Sequence, residues 1–421
     1  MTAEPAAALH VGGRAGAGAG ARARLLATLG PAFVAAIAYV DPGNFATNFT
    51  GGVRYGYQLL WAIVLASIAA TAVQYATSKV GLATGQSLPE LCRARFSGRV
   101  NWTLWVQAEV VAMATDLAEF VGAAVGLHLV FGLPLLAAGV LTAACVFLLL
   151  ALERYRRGAF VAAIAALFLA VVAGFGYLFC AAGTQHYGEL ARGLLPQVGG
   201  GGALTLVVGI VGATVMPHVI YAHSALQAHH PADADVAERR RRVRLNRWDC
   251  IAGLGIAGLA NAAMLCVAAV LPRAANASTG DLSTVYTDLE RIGSSGGCAA
   301  AFGIALIAAG LASSAVGTYA GQVVMSGFVH RRIPIVARRT ITMIPSLVVL
   351  ALAINPTQVL VLSQVVLSFC IPFALVPLLL VSRDRTVMAE LANRHITTIM
   401  LALISAVIIA LNACLLYAAL R

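Results

Sequence analysis

Four consecutive residues, Asp41-Pro42-Gly43-Asn44, combine a hard anionic oxygen, a neutral amide oxygen and two helix-breaking residues. They interrupt an apolar stretch: Leu25 to Val40 is almost wholly apolar, and small and apolar residues resume at Phe45. Pro removes a backbone donor and Gly resists helix, so a helix through this stretch is expected to break there. An ionisable group at mid-membrane is costly and points to function. Broken backbone at that depth also needs protein or a watery cavity around its freed carbonyls. A second segment of this kind, Gly209 to His223, carries Met216, Pro217 and His218 in mid-span. Asp41, Asn44 and the unwound carbonyls near Ala38 and Ala213 offer oxygens, and Met216 offers a thioether sulfur. Oxygens alone suit Mg²⁺, Ca²⁺ or Na⁺, whereas a soft sulfur favours transition metals. The mixed set with one negative charge suits Mn²⁺, Fe²⁺ or a similar ion. Gln364, a polar side chain in apolar surroundings, either completes that shell or hydrogen-bonds between helices.

A second group of residues could handle protons. Glu109, Asp116 and Glu119 stand in otherwise apolar sequence at spacings of seven and three, which puts all three along one helical face. Three carboxylates on one buried stripe are expensive unless protonated, paired or hydrated. Two readings follow: a proton relay, or static ion pairs to Arg338 or Arg339. His218 and His223 are five residues apart, on partly different faces. Imidazole titrates near neutral pH, so either could pass protons, and His223 also suits a plain buried hydrogen bond.

These residues need helices that cross a membrane. The chain has 421 residues, 60% hydrophobic and 11% charged, with a mean hydropathy of +0.87. A soluble domain carries roughly 25% charged residues, so a polytopic helical membrane protein is expected. Eleven apolar segments could each span the bilayer, at 25–54 (broken), 57–83, 102–131, 133–152, 158–183, 203–229 (broken), 248–271, 298–328, 340–355, 358–381 and 396–419. With the N-terminus inside, 22 of the 28 basic residues fall in inner segments and four in outer loops. The positive-inside rule then predicts a cytoplasmic N-terminus and an outer C-terminus. The same placement accounts for the net charge of +11 without nucleic acid, because the basic runs have no aromatic interleaving. The Arg239–Arg247 run is expected to be a solvated loop. Met1 to Arg24, rich in Ala, Gly and Arg, reads as a disordered tail. Eight scattered Cys without a CxxC pair read as small buried hydrophobes.

The two breaks occupy the first and sixth spans. Paired interruptions in corresponding positions of two halves point to a transporter site between inverted repeats. The parse is spans one to five (25–183) against spans six to ten (203–381), with 396–421 appended.

These strings resemble the signature motifs of the Nramp divalent metal transporters, in particular its bacterial proton-coupled manganese transporters. The likeness covers Tyr39–Asn48, Glu109–Phe120, Ala213–His218 and Leu362–Phe369, and runs over nearly the whole chain after residue 25. It implies a LeuT-type, all-α integral membrane fold of two inverted five-helix repeats plus an eleventh helix. It also implies uptake of Mn²⁺, often with Fe²⁺, Cd²⁺ or Co²⁺, together with protons, across a bacterial cytoplasmic membrane. Metal and proton are then substrates; no resident cofactor, no catalytic residues and a functional monomer are expected. Carried over, the metal ligands are Asp41, Asn44, Met216 and the carbonyls of Ala38 and Ala213, with Gln364 joining in some states. Asp116, Glu119 and His218 fall on the proton route, with Arg339 at its inner end. Asn261 is a further polar residue beside the site. Related magnesium and aluminium carriers are expected to lack the methionine, so Met216 speaks against them.

Two other classes compete. A Na⁺-coupled carrier of an organic solute would want room lined with Gly, which Asp41 and Met216 suit poorly. A metalloenzyme would want a constellation such as HExxH, which is absent. A channel would need neither paired breaks nor a carboxylate stripe.

Overall fold

Without water, every backbone polar group in a bilayer must be satisfied within the chain, so apolar spans fold as helices. The computed structural model describes residues 31–197, 199–228, 236–271, 280–292, 296–329 and 333–420, and they are helical throughout, joined by short turns. The proposed tail, 1–24, lies outside the described residues. Among the described residues nine stretches are long and apolar enough to cross a membrane. Ten of the eleven expected segments map onto them, the 43-residue stretch Pro42–Thr84 taking in the second half of the first span and all of the second. The ninth span is a helix of only 17 residues.

The first span is two helices, α1 (Pro31–Ala38) and α2 (Pro42–Tyr55), followed by α3 (Leu60–Thr84). A short α4 (Leu88–Arg95) starts from a capping box of Ser87 and Glu90. Next come α5 (Gly98–Phe131), α6 (Leu135–Tyr155), α7 (Arg157–Ala181) and the short α8 (Tyr187–Gly193). The sixth span is again split, into α9 (Gly201–Thr214) and α10 (Pro217–Ala228). The remainder are α11 (Val236–Val270), α12 (Leu282–Arg291), α13 (Gly297–Val329), α14 (Ile335–Ala351), α15 (Pro356–Arg383), the single turn α16 (Arg385–Met388) and α17 (His395–Ala419).

Burial sorts these helices into shells. The most apolar windows of α5 and of α9–α10 are 78% and 89% buried, against 22% for α6 and for α17. Apolar helices that expose most of their surface face lipid, so α6, α7 and α17 form the rim and α5, α9 and α10 the centre. Around that centre α13 packs along α5 and α7, α11 along α2 and α3, and α15 along α9 and α5. Four phenylalanines fix α2 against the scaffold: Phe45 meets Phe175 with ring centroids 5.0 Å apart, and Phe49 meets Phe302 at 5.0 Å.

One expectation fails. The Arg239–Arg247 run is not a loop: α11 begins at Val236 and runs through it. Arg is a good helix former. Glu238 near the start pairs with Arg242 four residues on at 3.0 Å and with Arg241 at 3.7 Å, the spacings that support an exposed helix. The preceding Asp233 and Asp235 lie outside the described residues. All eight cysteines are free thiols; five are buried, but Cys180 and Cys414 are exposed and Cys145 is half-buried.

Candidate metal-transport site

Each proline at a break removes one specific donor. In an α-helix the N–H of residue i bonds the carbonyl of i−4, so Pro42 leaves the Ala38 carbonyl without its helical donor, and Pro217 does the same to Ala213. α1 closes with tighter bonds, from Tyr39 N–H to Ala36 O (3.1 Å) and from Val40 N–H to Ile37 O (3.4 Å). Asp41 then caps α2: its backbone is extended (φ −97°, ψ 169°) and Oδ1 accepts the Asn44 N–H at 2.9 Å. α9 ends at Thr214 and α10 starts at Pro217, which leaves Val215 and Met216 between them.

The two breaks are joined directly. Asn44 Nδ2 donates to Asp41 Oδ1 (2.8 Å) and, across from α2, to the freed Ala213 carbonyl (3.0 Å). Two acceptors on that side fix the amide with its nitrogen there. Asp41, Asn44 and Met216 are at most 1% exposed. Among the described residues Asp41 Oδ2, Asn44 Oδ1 and Gln364 Oε1 find no hydrogen-bond partner, though all three are buried. Orphaned buried oxygens are rare and need an explanation.

Gln364 reaches the first break from α15. A Cβ added at Gly43 would lie 2.0 Å from Gln364 Nε2, and one at Gly212 would lie 1.9 Å from the Gln364 carbonyl oxygen. Glycine at 212 lets the backbone of α15 come this close to α9, and glycine at 43 leaves room for the Gln364 side chain. The sequence offered Gln364 as shell member or as interhelical link. Among the described residues Nε2 bonds its neighbour Ser363 Oγ (3.1 Å), and the buried Oε1 has no hydrogen-bond partner. Among the described residues no three His, Cys, Asp or Glu form a metal-holding group; the set here is one carboxylate with amides, a thioether and carbonyls.

The carboxylate stripe lies on α5 opposite two arginines of α14. Arg339, 4% exposed, pairs with Asp116 and, at 3.5 Å, with Glu119 Oε2, and also donates to the Ser314 carbonyl at 2.8 Å. Arg338 pairs with Glu109 Oε2 at 3.0 Å. The ion-paired arrangement is therefore present for all three carboxylates. Glu119 Oε1 has no partner. The histidines part company as their spacing predicts. His218 Nδ1 lies 3.2 Å from Thr115 Oγ1, beside Asp116 on α5. His223 Nδ1 lies 2.9 Å from Gln74 Oε1, and Gln74 donates to the Tyr39 hydroxyl at 2.7 Å. Asn261 donates to the Tyr39 carbonyl (2.8 Å) and accepts from Asn48 (2.9 Å). Tyr39, Gln74 and Asn48, which sequence reasoning passed over, thus tie the first break to α3, α10 and α11. Gln74 carried a signal, being a buried amide in an apolar span; Tyr39 carried none.

A helical bundle with two facing mid-span breaks around orphaned buried oxygens defines an ion-coupled secondary transporter. The family model described as natural resistance-associated macrophage protein-like matches residues 32–418. The chain belongs to this family, Nramp. It is 46% identical over 416 residues to the divalent metal cation transporter MntH of Deinococcus radiodurans, covering 97% of this chain and 95% of that one. It is 44% identical over 388 residues to MntH of Bacillus subtilis, covering 92% and 91%. A crystal structure of the Eremococcus coleocola manganese transporter superposes with a TM-score of 0.84 at 30% identity, over 96% of this chain and 89% of that one. A more distant likeness, TM-score 0.60 at 17% identity over 93% of this chain and 91% of that one, is to Mhp1, a nucleobase-cation-symport-1 family transporter. That likeness concerns the fold alone, which is LeuT-type.

Proposed function

We propose that this protein takes up divalent transition metal ions, Mn²⁺ and also Fe²⁺, Cd²⁺ or Co²⁺, with protons across a bacterial cytoplasmic membrane by alternating access. The observation that carries the reading is the trio of orphaned buried oxygens, Asp41 Oδ2, Asn44 Oδ1 and Gln364 Oε1, at breaks that also supply Met216 and the carbonyls of Ala38 and Ala213. A partly dehydrated cation satisfies such oxygens at once, and the thioether favours Mn²⁺ or Fe²⁺ over Ca²⁺ and Mg²⁺. Metal at Asp41 displaces a proton toward Glu119 and Asp116, with His218 beside them and Arg339 and Glu109 further along; His223 serves as a structural hydrogen-bond partner or passes protons. The halves 25–183 and 203–381 are inverted repeats, rocking of spans one, six and ten opens the inner side, 396–421 is an appendage, the N-terminus is cytoplasmic and the monomer suffices.

A Na⁺-coupled organic-solute carrier has the same fold, but here Gln364 fills the space over Gly43 that such a solute would need. The deciding experiment is Mn²⁺ uptake into proteoliposomes at acidic and neutral outside pH with excess Ca²⁺, for the wild type and Met216→Ala. The expected result is faster uptake at acid pH that ignores Ca²⁺, with the variant becoming Ca²⁺-sensitive. A wild type that moves no Mn²⁺ overturns the reading.

A further inference from the structure

A groove of about 1050 Å³ runs between α3, α11 and the start of α17, and no residue of the two breaks lines it. One end is cationic: Lys79, Arg240, Arg247 and Arg394 line it beside the Tyr75 ring. The rest is apolar, with Ile68, Leu254, Leu259 and Met400 on its walls. Leu259 is 73% and Ile68 59% exposed, so the apolar part opens outward to where lipid chains run. We propose that this groove holds an anionic phospholipid of the leaflet on the arginine-rich side, its phosphate among the four cations and an acyl chain along the apolar walls.

The charge count argues for an anion. Among the described residues, none of the four cations has a carboxylate within ion-pair distance. Glu390, the carboxylate on the lining, sits 4.0 Å from Arg239 instead. Lys79 is only 8% exposed, and its ammonium lies over the Tyr75 ring, 6.0 Å from Nζ to the centroid. A buried ammonium without a counter-ion is costly, and a headgroup phosphate seated at the mouth supplies that counter-ion. The apolar continuation selects lipid over a free phosphate, because a soluble anion would leave those walls to other chains. Basic pockets between membrane helices on the positively charged side are suited to anionic headgroups.

The test is native mass spectrometry of the full-length protein in detergent, titrated with phosphatidylglycerol or with phosphatidylcholine of the same chains. It is repeated on the Arg247→Gln/Arg394→Gln variant, two surface-exposed positions. The expected outcome is one tight phosphatidylglycerol adduct, held at least tenfold more strongly than phosphatidylcholine. The variant should weaken it about 25-fold, since each basic residue near an anionic lipid is worth about fivefold. A diazirine-bearing phosphatidylglycerol should label peptides containing Leu259 or Met400, and millimolar glycerol phosphate should not displace the adduct. Equal retention of both lipids, an unweakened variant, labelling confined to other helices, or displacement by glycerol phosphate each overturns the proposal. None of these readouts depends on metal transport.

Discussion

Gly43→Ala should act on metal binding through Gln364, and its size can be worked out from distances. The added methyl carbon would lie 2.0 Å from Gln364 Nε2, 2.3 Å from Cδ and 2.9 Å from Cγ. Carbon needs about 3.5 Å from such neighbours, so the amide must retreat by more than about 1 Å. The obstacle is the far end of a flexible side chain, so folding survives. Replacing Gly within a helix by Ala also contributes about 0.5–1 kcal/mol of stability. The loss falls on the site, where the Gln364 amide is pushed out of the place it holds against the break. A dipole removed from a charged partner costs about 1.5–3 kcal/mol, or about 10- to 150-fold in the Kd for Mn²⁺. Isothermal titration calorimetry on Gly43→Ala, Gln364→Ala and the double variant measures this. If the methyl works only by evicting Gln364, the double variant binds as weakly as Gln364→Ala alone, and the coupling nearly equals one single loss. Additive losses, or an unchanged Kd in Gly43→Ala, would refute the reasoning.

Other consequences are as direct. Arg339→Met strands Asp116 and Glu119 without their shared cation. It should cost about 3–5 kcal/mol of stability, seen as a lower Tm in detergent and partly recovered on adding Asp116→Asn. A Tm equal to that of the wild type would show that the pairs carry little. Asn412 on α17 and Ser368 on α15 exchange two buried hydrogen bonds, at 2.8 and 2.9 Å. Asn412→Ala should therefore lower stability by about 1 kcal/mol without changing Mn²⁺ affinity, by thermal unfolding and calorimetry; a loss of affinity would mean that α17 is more than an appendage. The proposed orientation places Ser97 inside and Gln197 outside. In a background lacking the exposed Cys180 and Cys414, a membrane-impermeant maleimide applied to intact cells should modify Gln197→Cys and leave Ser97→Cys unmodified, and the reverse pattern would invert the topology.

Much of the site could be read from the sequence because membrane chemistry makes polar residues conspicuous. Asp41, Asn44 and Met216 stand next to prolines in apolar runs, and in the structure Asn44 bonds the Ala213 carbonyl of the second break while Gln364 packs on Gly43 and Gly212. The stripe Glu109, Asp116, Glu119 was legible from spacing alone. Its partners were not fully so: Arg338 and Arg339 were both candidates for the pairing, and only packing assigns Glu109 to one and Asp116 with Glu119 to the other. The close approach at Gly43 and Gly212 was invisible because glycine serves turns, kinks and contacts alike, and what it meets is far along the chain. The Arg239–Arg247 run was misread for a related reason. Its charge speaks to topology, whereas its helicity depends on local propensity and on Glu238, which solvation by itself does not reveal.

The arrangement of charge bears on why protons and metal should be coupled at all. Within the buried centre stand three carboxylates, Asp41, Asp116 and Glu119, and one guanidinium, Arg339. Gly122, one turn past Glu119 on α5, packs directly against Pro42 beside Asp41. With every group ionised the cluster carries two net negative charges in a medium that punishes buried charge. Two protons offset that excess, and so does one divalent cation. A monovalent cation of the same radius leaves one charge uncompensated. On the proposed reading, a metal ion arriving between Asp41, Asn44 and Met216 supplies the compensation that protons supplied before. Those protons then have reason to leave, and the stripe with His218 at Thr115 offers titratable groups for their departure. Coupling in this view needs no dedicated switch beyond the shared deficit of positive charge. Asp116→Asn should accordingly retain Mn²⁺ binding and lose most of the accompanying proton movement, because it removes one negative charge from the shared balance without touching the break. Equal proton flux per metal in Asp116→Asn and wild-type vesicles, measured with an entrapped pH dye, would show that the balance is struck elsewhere.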